Sequence, residues 1–321
     1  MLLYYHMGFE SSLNLSREKI YRPEDMSFEA QYSRKQNLKI NGTNVEAVSI
    51  KPETSKTEVP VCVFHGWGAS MESFKPGMEV LAKKGRPVLS LDFPRKGGDT
   101  INTHNEELEG YYKKIGEPYP KFSSEFLRQA ATISSFLEQG KVEKTDIIAH
   151  SMAGPSAIIA AMIHPEKFIG RTIVLDNSAG LIGKDSILRL AKGAGANTSR
   201  TETMKNIPVT ESETEYLEST KHITPEYMAA NRLRMAKEIL DISNSKIDAH
   251  MLRYLKEKGI KVIIVGGVDD TMFPMEGMQG NVKGDSVAGF VSTIGGHMQS
   301  QVNSKEFMSA VETMLPKPEQ K

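Results

Sequence analysis

Thr145–Ala149 is a mostly apolar run that leads directly into His150-Ser151-Met152-Ala153-Gly154, and the residues up to Ile163 then follow a helical pattern. No other feature limits the fold so tightly. A short run buried on both faces belongs in the middle of a parallel sheet. Only a sharp turn separates this strand from the helix Met152–Ile163, so Ser151 at its apex is strained and its hydroxyl projects out of the sheet. The flanks of such a turn pack so closely that small residues are needed two before and two after the serine. Ala149 and Ala153 stand there. The helix N-terminus beside Ser151 favours negative charge developing at that point.

The same alternation recurs along the chain. Strand signals lie around residues 26–33 and Val45–Lys51, with Asn41-Gly42 as a turn between them. Val59–Phe64 is a continuous apolar run that stops at His65-Gly66. A helix is expected over Pro76–Lys84, closed by Gly85, then a strand at Pro87–Leu91. After a loop rich in Gly and Pro, Ser123 or Ser124 can cap a helix reaching Gln139. Arg171–Leu175, Lys261–Val265 and Gly289–Thr293 read as further strands, and a last helix starts near Ser304 and ends before Pro316. Strands alternating with helices at this spacing predict an α/β fold whose mostly parallel, doubly wound sheet is covered on both faces.

One block interrupts the alternation. Residues 181–255 hold only helical patterns, the clearest starting at Thr224-Pro225 and running to about Leu240, so they are expected to form an inserted helical cap. The resulting division is an N-terminal arm (1–25), a core (26–180 with 256–315), the cap (181–255) and a disordered tail (316–321).

Lys plus Arg and Asp plus Glu number 40 each, so no net charge favours nucleic acid or an anionic membrane surface. The single cysteine, Cys62, cannot form an intramolecular disulfide, which suits a reducing compartment. Met1–Met7 is apolar but has neither a basic leader nor a cleavage pattern, and no segment has the length of a membrane span. A cytoplasmic protein acting on a small molecule is the expectation; oligomeric state is left open.

Ser151 could be an ordinary helix N-cap, but the strand before it and its small flanks favour a nucleophile. A hydroxyl needs an adjacent base that a third group orients. His297 follows Gly295-Gly296 in the loop after the last strand, where a base would sit, although a surface histidine is the plainer reading of that residue. Strand Lys261–Val265 leads into Gly266-Gly267-Val268-Asp269-Asp270, and an aspartate there can hold the imidazole tautomer. Backbone donors for an oxyanion would be the N–H groups of Met152 and of Trp67, the latter in His65-Gly66-Trp67-Gly68. In that loop His65, Gly66 and Gly68 act as support. The other histidines (His6, His104, His164, His222 and His250) show no metal-ligand spacing, and Cys62 reads as a buried thiol. The methionines of the insertion, Met204, Met228 and Met235 among them, are core filler more readily than the lining of an acyl pocket.

Over nearly all of residues 26–315 the chain resembles α/β-hydrolase-fold serine hydrolases of the esterase and lipase type. The likeness rests on His65–Gly68, on the run 92–98 (Asp-Phe-Pro-Arg-Lys-Gly-Gly), on Ala149–Gly154, on Gly267–Asp270 with Pro274, and on Gly295–His297. In that family the acid commonly stands three residues after a Gly and four before a Pro. Asp270 meets both spacings, whereas Asp269 fails the spacing to the Pro; Asp176, at the end of the strand after the nucleophile, is the other competitor. The resemblance implies hydrolysis of an ester, thioester or amide with no metal or organic cofactor. A carboxylic ester is the leading substrate class. Aminopeptidase, acyltransferase and perhydrolase chemistry on the same triad are alternatives, as is a non-catalytic binding protein of this fold.

Overall fold

The computed structural model describes residues 3–5, 33–52, 54–94, 97–198, 232–282 and 284–317. Several expectations lie outside them: residues 6–32 of the arm and first strand, Arg95 and Lys96, the helix start at Thr224-Pro225, His6, His222, Met204, Met228 and residues 318–321. The described strands form one nine-stranded sheet in the order β1-β9-β8-β7-β6-β4-β5-β3-β2. These are β1 Leu3–Tyr5, β2 Ser33–Ile40, β3 Thr43–Ile50, β4 Val61–Phe64, β5 Val88–Leu91, β6 Asp146–His150, β7 Thr172–Asp176, β8 Lys261–Gly267 and β9 Gly289–Thr293. Strands from β5 across to β9 run parallel, while β3, β2 and β1 add antiparallel edges.

Apolar sequence explains the centre of this sheet. Every residue of β4, β6 and β7 is buried, as continuous apolar runs demand. Helices α1 (Lys75–Lys83) and α8 (Ser304–Glu312) pack together on one face. On the other lie α3 (Ser124–Gln139), α4 (Ala153–Ile163) and α7 (Ala249–Glu257). Ser123 caps α3 by accepting the N–H of Phe126, and Gly85 ends α1 in the left-handed conformation (φ +90°). Helix α4 is apolar on all sides and buried along ten of its eleven residues, so its position is fixed by the core it fills.

Three elements differ from the sequence reading. The first hairpin is β2 and β3 around the two-residue turn Asn41-Gly42, both at positive φ, so the strand paired with β3 spans Ser33–Ile40 and not 26–33. Its charged residues hide the alternation because it is an edge strand. Leu3–Tyr5, in the arm expected to be irregular, pairs antiparallel with β9. Three residues are too few to show a period. The loop before Ser123 contains a helix, α2 (Glu106–Ile115), which Asn105 caps, three glutamates open, and Gly116 closes at φ +73°. From the insertion, α5 (Ile187–Thr198) and α6 (Arg232–Ser243) are described and lie against each other.

The chain steps from β4 out to β5 and then returns to place β6 on the other side of β4. The crevice between the ends of β4 and β6 is therefore the point where strand order reverses, the usual site position in an open α/β sheet.

Candidate active site

The loops that leave β4 and β6 are side by side because Phe64 is in register with Ala149. Ser151 sits at φ +53°, a conformation rare for a residue with a side chain. Main-chain bonds hold it there: its N–H donates to the Asp176 carbonyl at 2.9 Å, and its carbonyl accepts from Gly154 and Ala179. Ala149 and Ala153 are fully buried, as the small-flank argument requires. The helix starts at Ala153 with Met152 as its cap residue, so the Ser151 hydroxyl is not spent on capping.

That hydroxyl lies 2.9 Å from His297 Nε2, and His297 Nδ1 lies 3.0 Å from Asp270 Oδ2. Asp270 Oδ2 can only accept from Nδ1–H when ionised, which leaves Nε2 as the acceptor facing Ser151. The other Asp270 oxygen accepts the backbone N–H groups of Met272 (2.7 Å) and Phe273 (3.0 Å), which fix the carboxyl in its loop. All three side chains are buried. Asp269 is exposed, and its N–H binds the Gly295 carbonyl, tying the acid loop to the histidine loop.

The loop after β4 meets Ser151 closely. A Cβ on Gly66 would lie 2.6 Å from Ser151 Cβ and 2.9 Å from His150 Nδ1, so only glycine fits. Gly68 is at φ +67°. His65 Nε2 accepts the Phe93 N–H at 3.1 Å, which leaves its Nδ1 to donate to the Gly66 carbonyl at 2.8 Å. The Trp67 indole N–H donates to Glu238 of α6 at 2.8 Å.

A family model described as the alpha/beta hydrolase fold matches residues 59–198. This chain is an α/β-hydrolase-fold protein. Among solved structures, a bacterial membrane phospholipase A described as a virulence factor superposes with a TM-score of 0.59 at 14% identity, over 88% of this chain and 85% of that one. An esterase from Thermogutta terrifontis gives 0.56 at 16% identity, over 88% and 97%. An esterase from Exiguobacterium antarcticum gives 0.51 at 15% identity, over 86% and 97%. No curated protein matches the chain by sequence.

Two residues of this α/β-hydrolase-fold chain that the sequence reading left unassigned brace the histidine loop. Asn177, at φ +43°, accepts the Gly267 N–H at 2.8 Å and donates to the His297 carbonyl at 3.2 Å, joining the loops after β7, β8 and β9. His150 Nε2 donates to the same carbonyl at 3.0 Å. Burial, then the neighbouring His297, push the His150 imidazole down to about 3, which keeps it neutral. No spacing rule marks Asn177; its signal is only that it follows the end of a strand next to the nucleophile's.

Asp176 is brought near the site but is not bonded to its base. Its carboxyl is fully buried, with Oδ2 4.0 Å from His150 Nε2, and desolvation raises its pKa to about 7. Among the described residues no cluster of His, Cys, Asp and Glu is arranged to hold a metal ion, and no helix is long and apolar enough to cross a membrane.

Proposed function

We propose that this chain is a serine hydrolase that cleaves carboxylic esters through an acyl-enzyme on Ser151. The observation that carries this reading is the buried relay from Ser151 through His297 to Asp270, with hydrogen-bond distances of 2.9 and 3.0 Å, on a serine held at positive φ. Esters are also the acyl class named for the two esterases whose fold this chain shares.

In this mechanism Ser151 Oγ attacks the ester carbonyl carbon while His297 Nε2 takes its proton, and the carbonyl π pair moves onto oxygen. The Met152 and Trp67 N–H groups receive that oxyanion; Met152 also stands at the N-terminus of α4, whose dipole adds to the field. Collapse expels the alkoxide, which takes the proton from His297. Water then attacks the acyl-enzyme, His297 removes its proton, and the acid leaves as Ser151 regains a hydrogen. Asp270 stabilises the imidazolium at both stages. His65, Gly66 and Gly68 keep the donor loop against Ser151. The insertion at 181–255 covers the site in this reading, and α6 within it touches Trp67.

The test is Ser151→Ala on a series of p-nitrophenyl esters of increasing acyl length, with a fluorophosphonate probe run in parallel. The expected result is a loss of roughly a thousandfold or more in kcat with the melting temperature retained, and labelling of Ser151 in the native protein only. Near-native turnover by the alanine variant would refute the assignment.

A further inference from the structure

The loop that presents the Trp67 N–H is built around two glycines. Gly66 and Gly68 flank Trp67, the second of them at φ +67°, and glycine restricts neither peptide plane. One of its main-chain ties, Ala69 N–H to the Gly66 carbonyl, is long at 3.4 Å. The His65 ring anchors residues 66 and 93. Residue 67 is tied through its indole. The indole has a single donor, and at 2.8 Å from Glu238 Oε2 the donor is satisfied by a residue 171 positions away in sequence. Glu238 is 3% exposed and lies in α6, a helix of the insertion and not of the sheet core. Glu238 is buried and Trp67 half-buried, so loss of the bond would leave the carboxylate side with little water to replace the indole N–H.

We propose that Glu238 is a positioning residue: through the Trp67 indole it sets the direction of the Trp67 backbone N–H, and so couples the insertion helix to oxyanion stabilisation. This rests on the Ser151 hydrolase reading above. The coupling means that a change in the seating of α6 is felt at the oxyanion and not only at the substrate's binding surface. Glutamine at position 238 keeps an acceptor oxygen of the same reach; leucine keeps the bulk and removes the acceptor. Phenylalanine at position 67 keeps a ring and removes the donor.

Trp67 is the only tryptophan in the chain, so its emission reports this bond without interference. The experiment compares wild type with Glu238→Leu, Glu238→Gln, Trp67→Phe and the Glu238→Leu/Trp67→Phe double variant. It reads kcat and KM on p-nitrophenyl acetate, the rate of fluorophosphonate labelling, and melting temperature. Emission spectra are recorded for the proteins that retain Trp67. Displacing rather than deleting one oxyanion donor is expected to lower kcat about tenfold or more in Glu238→Leu and Trp67→Phe, with KM within about threefold. The double variant should lose no more than either single variant, because both cut the same link. Glu238→Gln should restore kcat to within about threefold, and Trp67 emission should shift in Glu238→Leu but not in Glu238→Gln. Wild-type kcat in folded Glu238→Leu, or losses that multiply in the double variant, would overturn the coupling. If Glu238→Leu fails to fold, Trp67→Phe decides by the same kcat criterion. Failure of the hydrolase reading looks different: wild type itself would then leave Ser151 unlabelled by the probe.

Discussion

Asparagine in place of Asp176 changes one atom of a carboxyl that is fully buried at the end of β7. In the native protein burial raises this acid to about 7, whereas in an unfolded chain an aspartate titrates at about 3.9. Between those values the folded state holds a proton that the unfolded state releases, so stability is greatest below pH 4 and falls as pH rises to about 7. The shift of about 3 pH units, at 1.36 kcal/mol each, corresponds to about 4 kcal/mol in all. Between pH 4.5 and pH 8.5 the part lost is about 3 kcal/mol, because the unfolded aspartate is already largely ionised at the lower value. Asparagine carries no such penalty. Urea unfolding of both proteins at these two pH values should therefore show Asp176→Asn gaining about 3 kcal/mol on wild type as pH rises, whatever its offset at pH 4.5. Parallel pH curves would refute the argument that this carboxyl is held neutral by burial. Activity provides the second arm. Since Asp270 and not Asp176 meets His297 Nδ1, Asp176→Asn should keep kcat within a few-fold, while Asp270→Asn loses about three to four orders of magnitude. The reverse ranking would make Asp176 the acid.

Gly66→Ala places a methyl 2.6 Å from Ser151 Cβ and 2.9 Å from His150 Nδ1, so the loop must retreat; kcat should fall about a hundredfold and stability by about 1–3 kcal/mol, read by ester assay and thermal melt. His150, held down at about 3, must be charged on acid unfolding and so costs the native state stability as pH falls below 6.5. His150→Gln keeps a donor for the His297 carbonyl and should recover about 3 kcal/mol relative to wild type between pH 7.5 and pH 4.5, a gain that urea titration would show to be absent if His150 were solvated. The Cys62 thiol is fully buried and pushed up to about 12, so Ellman's reagent should react with it only as the protein unfolds; prompt reaction in native buffer would contradict that burial.

Much of the fold was legible because the information was local. The apolar runs that became β4, β6, β7 and β8, the small residues at 149 and 153, and Gly85 after α1 all act through their immediate neighbours. Helix α2 carried equally local signals, Asn105 before its first turn and Gly116 after its last, but they lay hidden in a stretch read as loop. The edge strands were less readable. In β2 the side chains face water often enough to blur the period of two, and β1 exists only because β9 offers it a partner.

Sequence by itself determined that a serine would stand strained between a central strand and a helix, and that an aspartate and a histidine would follow in that order on later loops. Strand propensity, residue size and chain order suffice for that. Which of Asp176, Asp269 and Asp270 meets the imidazole was decided by tertiary structure, since all three stand at the ends of neighbouring strands and differ only in where their loops turn. The same holds for Asn177, which joins three loops, and for Glu238, which reaches Trp67 across 171 residues. Hydrogen bonds depend on distances of a few tenths of an ångström, and between residues so far apart along the chain only the packing of the sheet and its helices sets those distances.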